Sequence, residues 1–266
     1  MDLAKHCLVK PHSKLKLKDR DPADTFGVSK NLKKLEKNLE RLRELQHLLY
    51  ADKRHALLIV LQALDAGGKD GTIRHVMSGV NPQGCQVTSF KKPSSEECDH
   101  DYLWRIHKGV PSKGNIGIFN RSHYEDVLVV RVHDIVPKPV WSKRYHQIND
   151  FEKMLSENRV TILKFFLHIS KDEQKRRFEQ RIADPVRNWK LSLPDIEERK
   201  HWDAYTEAYE DALAKCSTPW APWYVVPADK KWFRNHVVAE VVVQALEGMR
   251  LKFPPPSLDV SKISLD

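Results

Sequence analysis

The stretch that decides the fold runs from Ala56-Leu-Leu-Ile-Val-Leu61 into Asp65-Ala-Gly-Gly-Lys-Asp-Gly-Thr72. A short, uninterrupted apolar run of this kind is typical of a strand that is buried on both faces of a parallel sheet. Glycines follow it, and Ile73, Val76 and Met77 then recur at helical spacing. The chain is therefore expected to pass from a buried strand through a tight glycine turn directly into a helix.

The turn carries a pattern that suits phosphate binding. Ala63-Leu-Asp-Ala-Gly-Gly-Lys69 aligns with G-x-x-x-x-G-K, with Ala63 in place of the first glycine and Asp70 in place of Ser or Thr. Glycines let the backbone approach a phosphate, the helix N-terminus directs N–H groups at it, and Lys69 adds a mobile charge. An ordinary strand-to-helix turn with a surface lysine is the alternative. The residues predicted to bind phosphate or nucleotide here are Ala66, Gly67, Gly68, Asp70, Gly71 and Thr72.

Asp65 is unusual within this turn, because a carboxylate inside a phosphate cradle repels the phosphate. A divalent cation between the two groups would attract both of them and so remove this repulsion. The residues therefore point to a metal ion held by Asp65.

A second cluster, Ile118-Phe-Asn-Arg-Ser-His-Tyr-Glu-Asp126, directly follows another strand candidate. Sites in open parallel sheets lie at the carboxyl ends of strands, so Arg121 should lie beside the glycine turn, where it suits bidentate phosphate binding. Glu125 and Asp126 are candidates to hold a metal or its waters, and His123 is expected to pack or hydrogen-bond within the fold. A solvated loop is the alternative.

A third cluster, from Gln174 to Lys190, is strongly basic. Arg177 and Arg181 are neighbours on one face of a predicted helix, and Pro185 ends that helix. A basic helix, a break and a second basic segment describe a lid that closes on phosphates. A solvated charged helix is the alternative.

The remaining strand and helix patterns alternate, which indicates βαβ units and a parallel three-layer sheet. Further strands are predicted at Cys85–Phe90, Asn115–Phe119, Val160–Ile169 and Trp223–Val226. Further helices are predicted at Glu96–Lys108, Val140–Asn158, Lys171–Ala183, Leu193–Lys215 and Lys231–Met249.

Three segments have less regular patterns. Residues 1 to about 30 are basic, and an irregular or strand-like arm that wraps a neighbour is expected there. From Asn31, leucines recur every three or four residues, which predicts an amphipathic helix packed on the main domain. Val127–Val132 has the composition of a strand, yet its spacing also fits a helix that leaves a loop.

Charge and composition narrow the function classes. The 266 residues include 45 Lys and Arg against 36 Asp and Glu, a net charge of +9 that favours polyanionic partners. No apolar run approaches the ~20 residues of a membrane-spanning helix, and the N-terminus has no apolar segment of a secretory signal. The four cysteines form no CxxC pair, so neither a zinc site nor a redox dithiol is indicated. Reduced thiols in a cytoplasm are expected.

Together the clusters resemble the family-2 polyphosphate kinases, most closely the subclass that acts on both AMP and ADP. Many relatives have Asp where this chain has Asn120 and Asn where it has Glu125, and this exchange matches the AMP-accepting subclass. The resemblance extends from about Asp21 to Pro255. Its motifs are Ala63-Leu-Asp-Ala-Gly-Gly-Lys-Asp-Gly-Thr72, Phe119-Asn-Arg-Ser-His-Tyr-Glu-Asp126, the lid with Lys171-Asp-Glu-Gln174, Arg181 and Trp189-Lys190, and Ala221-Pro-Trp-Tyr224 with Pro227-Ala228 and Lys231-Trp232.

The resemblance implies an α/β protein with a three-layer P-loop kinase fold like that of thymidylate kinase, with a central parallel sheet and a helical lid. It implies Mg²⁺ dependence and a polyphosphate:AMP/ADP phosphotransferase activity, and it makes Val127–Val132 helical, which we adopt. The implied catalytic residues are Asp65, Lys69, Arg121 and Arg181. Further phosphate or nucleotide contacts are assigned to Asn120, Arg177 and Lys190, and the metal to Asp65 and Glu125.

These inferences give a definite set of expectations. We predict an arm and amphipathic helix at 1–50, a P-loop kinase domain at 51–250 with a lid at about 171–195, and a tail at 251–266. The expected partners are inorganic polyphosphate and adenine nucleotides, with other purine nucleotides left open, and neither nucleic acid nor a membrane. A homo-oligomer, dimer or tetramer, is expected. An ATP-dependent P-loop kinase for a nucleoside or small molecule is the alternative function, and a polyanion-binding protein without catalysis is a third.

Overall fold

Five parallel strands form one sheet in the computed structural model, which describes residues 2–259 and 262–264. Each strand lies within about a residue of its predicted position, which confirms the predicted parallel sheet. The strands are β1 (Ala56–Gln62), β2 (Cys85–Ser89), β3 (Ile116–Asn120), β4 (Val160–His168) and β5 (Trp223–Pro227).

The strand order β2-β3-β1-β4-β5 places β1 at the centre of the sheet. In this register Leu61 lies opposite Asn120, and the Arg121 amide donates to the Leu61 carbonyl at 3.1 Å. The ends of β1 and β3 therefore meet at the same edge. As a result, the glycine turn and the second cluster emerge side by side.

Helices cover both faces of the sheet. They are α1 (Leu3–Cys7), α2 (Leu32–Asp52), α3 (Lys69–Val76), α4 (Ser95–Cys98), α5 (Trp104–Lys108), α6 (Val129–Val132), α7 (Lys138–Glu157), α8 (Lys171–Ala183), α9 (Leu193–Glu197), α10 (Trp202–Cys216) and α11 (Lys231–Gly248).

Alternate side chains of β1 supply two separate cores. Leu57 and Ile59 pack into the core beneath α2, α3 and α11, and Leu58 and Val60 pack into the core beneath α7 and α10. Because each face is covered by helices, every residue of β1 is buried, which explains its uninterrupted apolar sequence. The central strand is thereby fixed from both sides, and its carboxyl end is a rigid base for the glycine turn.

Several predicted elements differ from the structure. The helix predicted over Glu96–Lys108 is split into α4 and α5, because the Asp101 carboxylate accepts from the Leu103 amide at 2.9 Å and competes with helical bonding. The helix predicted over Leu193–Lys215 is likewise divided, by a 3-10 helix over Glu198–His201 between α9 and α10. Of the predicted Val127–Val132 helix, Val129–Val132 is helical as adopted, while Val127 and Leu128 form a turn before it. The strand composition is misleading because burial of Val127 does not require a sheet position.

The N-terminal arm and α2 pack on their own chain. The arm begins with α1 and then covers the edge strand β5, where the Val9 amide donates to the Trp223 carbonyl at 2.8 Å. Asn31 caps α2, and five of its leucines are buried in the core that α2 shares with α11, whereas Leu32 is 52% exposed. The buried leucines are Leu35, Leu39, Leu42, Leu45 and Leu49. Among the helices of the described residues, none combines the length and the apolar character that crossing a bilayer requires.

Candidate active site

The turn between β1 and α3 has a backbone that demands glycine. Gly68 has φ +101°, and Ala66 also lies in the left-handed region at φ +58°. A Cβ atom at Gly67 would stand 2.5 Å from the Cβ of Ala63 and 2.8 Å from the Leu64 carbonyl oxygen. No side chain fits at that distance, so Gly67 allows the turn to close tightly over the end of β1.

Lys69 begins α3 and folds back over the turn. Its Nζ donates to the Ala63 carbonyl at 2.9 Å, and burial lowers the pKa of its ammonium group. Thr72, one turn later, is buried and donates its hydroxyl to the Gly68 carbonyl at 3.0 Å. Thr72 was predicted to contact phosphate, and in the structure its hydroxyl makes a hydrogen bond to the turn itself. Gly71 lies within the first turn of α3.

Arg121 and Asp65 form the centre of the site. The Arg121 guanidinium donates from Nη2 to Asp65 Oδ1 at 3.0 Å, and Arg121 has the left-handed φ of +63°. A non-glycine residue in this conformation is costly and is retained where the surroundings fix it, often at functional sites. The predicted meeting of the first and second clusters is therefore present in the structure.

A cavity of about 210 Å³ opens over this ion pair. Burial raises the pKa of the Glu125 carboxyl. The polar and charged residues that line the cavity are Asp65, Arg121, Glu125, Gln174, Asp195, Glu198 and Arg199. Three aromatic residues of α10, none of them a predicted site residue, form an aromatic wall of the cavity. Their spacing on the predicted helix was the available signal. They are Trp202, Tyr205 and Tyr209.

Asp70 joins the turn to the second cluster and to the lid. Its carboxylate accepts from Asn120 Nδ2 at 2.9 Å and lies 3.5 Å from the Lys190 ammonium. Partial burial raises its pKa, but the Asn120 hydrogen bond and the Lys190 charge outweigh that effect and lower it. Asn120 and Lys190, both predicted site residues, therefore lie at the mouth of the turn.

Arg177 holds the outer side of the turn and does not face the cavity. Its Nη1 donates to the carbonyls of Ala66 and Gly67 at 2.9 and 3.0 Å, its Nη2 to those of Ala228 and Asp229, and its Nε to Glu173. All five N–H donors of a guanidinium are thereby engaged. The prediction that Arg177 contacts phosphate is not supported by this geometry, because the side chain uses its hydrogen bonds to stabilise the turn.

Arg181 lies one helical turn beyond Arg177. Its guanidinium lies over the Phe178 ring, 5.4 Å from the centroid, and in the described part of the chain it makes no hydrogen bond to the glycine turn. The structure therefore brings together Asp65, Lys69 and Arg121 but leaves Arg181 outside this group.

A buried polar network supports the second cluster from below. The Lys164 ammonium donates to Glu152, to the Tyr124 hydroxyl at 2.8 Å and to the Cys216 carbonyl at 2.6 Å. His123 lies 3.1 Å from the same carboxylate, which confirms its predicted role inside the fold. The network anchors His123 and Tyr124, which lie between the two site residues Arg121 and Glu125 in the chain.

The two predicted metal carboxylates line the same cavity, but they do not form a complete protein cage. Within residues 2–259 and 262–264, no three His, Cys, Asp or Glu side chains are grouped to hold a metal. Asp126, the other candidate, is bound by Arg144 at 3.0 Å and is not a cavity residue. Mg²⁺ in phosphate-transfer sites is commonly held by one or two carboxylates with waters and substrate phosphates, so the donors Asp65 and Glu125 fit it.

Comparisons with known proteins agree with this geometry. The model of the family described as polyphosphate kinase 2 matches residues 27–254. The chain is 52% identical over 262 residues to an AMP/ADP-polyphosphate phosphotransferase of Meiothermus ruber, covering 97% of this chain and 98% of that protein. It is 50% identical over 232 residues to an ADP-polyphosphate phosphotransferase of Rhodopseudomonas palustris, covering 83% and 80%. The crystal structure of polyphosphate kinase 2 from Arthrobacter aurescens superposes with a TM-score of 0.94 at 43% identity, covering 98% and 94%. The chain belongs to the polyphosphate kinase 2 family.

Proposed function

We propose that this protein transfers phosphoryl groups between inorganic polyphosphate and AMP or ADP, forming ADP and ATP. The observation that carries the proposal is that Asp65, Arg121 and Glu125 line one cavity at the carboxyl edge of the sheet, with the Lys69 ammonium near enough to interact electrostatically with all three. The names of the relatives in Meiothermus and Rhodopseudomonas support the same pair of substrates.

The reaction is an in-line displacement at phosphorus. An oxygen of the nucleotide's terminal phosphate forms a bond to the end phosphorus of the polyphosphate chain. The bond from that phosphorus to the bridging oxygen breaks, and the chain leaves one unit shorter. The attacking oxygen is already anionic near neutral pH because a phosphate monoester has its second pKa at about 6. No strong general base is required, so catalysis depends on positioning and charge neutralisation.

The chain's own residues supply that positioning. The backbone N–H groups at the start of α3 and the Lys69 ammonium bind the phosphate that sits in the turn. Arg121 faces the cavity and neutralises charge on the transferred group, while Asp65 fixes the direction of its guanidinium. Lys190 extends the positive charge at the mouth of the turn.

Mg²⁺ is part of the proposal as a ligand of Asp65 and Glu125. When bound, the ion neutralises phosphate charge and orients the two phosphate groups. Its hard oxygen donors are available because both carboxylates line the cavity. Glu125 has a raised pKa, so a nearby cation would favour its ionised form.

The aromatic wall of the cavity suits the nucleotide. Trp202 and Tyr205 line the same cavity as the Asp65–Arg121 ion pair, and aromatic rings stack on a base or pack on a ribose without requiring one particular base. We propose that AMP or ADP enters between this wall and Arg121, with its phosphates toward the turn.

The proposal is tested with purified protein, Mg²⁺, polyphosphate and either AMP or ADP, with the nucleotide products separated by chromatography. Lys69→Met and Asp65→Asn should each lower kcat by about 10²-fold or more, as expected when one preorganised transition-state contact is lost. Lys37→Met, an exposed lysine of α2, is the control and should keep wild-type turnover.

Two results would contradict the proposal. One is wild-type turnover in folded Lys69→Met. The other is product formed from ATP and a nucleoside but none from polyphosphate, which would favour the ATP-dependent kinase instead.

A further inference from the structure

A second buried arginine lies against the glycine turn. Arg234 belongs to the first turn of α11 and is only 3% exposed. A Cβ atom at Gly68 would stand 2.0 Å from Arg234 Nη1, so the guanidinium occupies the space beside the left-handed residue of the turn. Its Nη2 lies 3.5 Å from the corresponding position at Gly71. The side chain therefore contacts the turn and the first turn of α3 together.

This guanidinium has no negative partner within the described residues. Its Nε and Nη2 donate to Oδ1 of Asn235 at 3.1 and 2.9 Å, and that acceptor is a neutral amide. Arg177, in contrast, is paired with Glu173 at 2.7 Å. Burial and repulsion from Arg177 lower the pKa of Arg234 to about 10, so the group still carries its charge at neutral pH.

An unpaired buried cation is unfavourable unless something supplies the opposite charge. The other charges on this side of the turn do not supply it, because Arg177 and Lys231 are also cations and Glu173 is already paired with Arg176 and Arg177. The start of α3 adds the positive end of a helix dipole. The local excess of positive charge is therefore built into the fold.

We propose that Arg234 is a binding residue for condensed phosphate, and that the phosphate chain in the glycine turn is its counter-ion. The inference rests on the proposed function of this site and names a residue that the motifs of the turn do not include. A chain with several negative charges gains more from Arg234 than an ion with one or two. The residue thereby favours polyphosphate over orthophosphate in the turn.

The experiment compares Arg234→Met, Arg234→Lys and a control, Arg74→Met, which removes an exposed charge from α3. Two quantities are measured over a range of NaCl concentrations. One is the rise in Tm caused by tripolyphosphate, and the other is the KM for polyphosphate in ADP phosphorylation.

Arg234→Met should raise KM about 10- to 100-fold, the range expected for one lost charged contact, with a smaller change in kcat. The dependence of log affinity on log salt should become shallower by about one unit, as for one lost ionic contact to a polyanion. The Tm without ligand should be equal to or higher than that of the wild type, since an unpaired charge has been removed. Arg234→Lys should recover most of the affinity and the salt dependence, and Arg74→Met should match the wild type.

The inference is overturned if Arg234→Met keeps wild-type affinity and salt dependence, or if Lys and Met at this position behave alike, which would show a packing role. Failure of the proposed function has a different signature. In that case the wild type forms no ADP or ATP from polyphosphate, while tripolyphosphate still raises Tm in a manner that depends on Arg234.

Discussion

Lys164 lies in the interior of the sheet with no exposed surface, and its ion-pair partner is Glu152, which is 1% exposed. Replacing Lys164 with methionine preserves the approximate length of the side chain but removes its charge. Glu152 would then be a buried carboxylate without a cation. The hydroxyl of Tyr124 and the carbonyl of Cys216 would each lose a donor at hydrogen-bond distance.

The expected cost is large. Removing one partner of a buried ion pair typically costs about 3–5 kcal/mol, out of a total stability of about 5–15 kcal/mol for a folded domain. The pairing with Lys164 holds the pKa of Glu152 below its ordinary value even though burial opposes this. Without Lys164 that carboxyl should bind a proton more readily. The deficit of Lys164→Met should therefore be greatest near pH 7 and should shrink as the pH falls.

The matched control is the double variant Lys164→Met/Glu152→Gln. Glutamine is neutral, keeps the shape of the side chain and can still accept hydrogen bonds from His123 and Tyr124. The double variant should recover most of the loss and retain a deficit of about 1–2 kcal/mol for the imperfect hydrogen bonds.

Urea unfolding followed by tryptophan fluorescence measures these differences, because the free energy of unfolding varies linearly with denaturant concentration. Activity is assayed well below the transition. Lys164→Met should also lower kcat, since the network fixes the chain between Arg121 and Glu125. The reasoning is refuted if the single variant lies within about 1 kcal/mol of the wild type, or if the double variant is less stable than the single one, because either result would show that an uncompensated charge is not the cause.

Four further substitutions have defined outcomes. Gly67→Ala should abolish phosphate-induced stabilisation and lower Tm, because its Cβ would meet Ala63 at 2.5 Å, whereas Gly71→Ala should not lower Tm because its nearest neighbour is 3.5 Å away. Arg177→Met should lower the free energy of unfolding in urea by about 3 kcal/mol or more, because the carbonyls of Ala66, Gly67 and Ala228 lose their donor while Glu173 keeps Arg176 as a partner. Hydrogen bonds from Arg54 lower the pKa of Asp52 below 3.8. The stability that the Asp52 carboxylate contributes is therefore present above that pH and is lost as the pH falls further. Asp52→Asn should therefore lower Tm at pH 7, and the difference from wild type should shrink below about pH 4.

The strands and the central part of the site could be predicted because their signals are local in sequence. The apolar run of β1 and the glycines after it lie within a few residues of one another, and a second strand ends immediately before Arg121. Parallel strands share a carboxyl edge, so two local motifs sufficed to predict that Asp65 and Arg121 meet. The 3.0 Å ion pair confirms that prediction.

The partners of the buried charges were beyond the same reasoning because they are distant in sequence. Glu152 and Lys164 lie on different elements, and the apolar pattern around Lys164 predicts only a strand that contains one lysine. The break between α4 and α5 was also missed. It depends on a hydrogen bond of the Asp101 side chain, and the spacing of apolar residues carries no information about such a bond.

The arginines of the site show why composition alone misassigns such residues. Three arginines lie near the glycine turn, yet each has a different kind of partner. Arg121 pairs with a carboxylate of the cavity, Arg177 with backbone carbonyls and Glu173, and Arg234 with a neutral amide. Full engagement of its five donors makes Arg177 part of the scaffold, although the basic helix that contains it predicts a phosphate contact. Arg234 lies in a valine-rich helix whose sequence predicts a place in the core. Of these three arginines, it is the one without a carboxylate partner in the described chain. Since a phosphate chain is attracted most by charge that the protein has not already neutralised, the response to substrate should come from Arg234 and Arg121 rather than from Arg177.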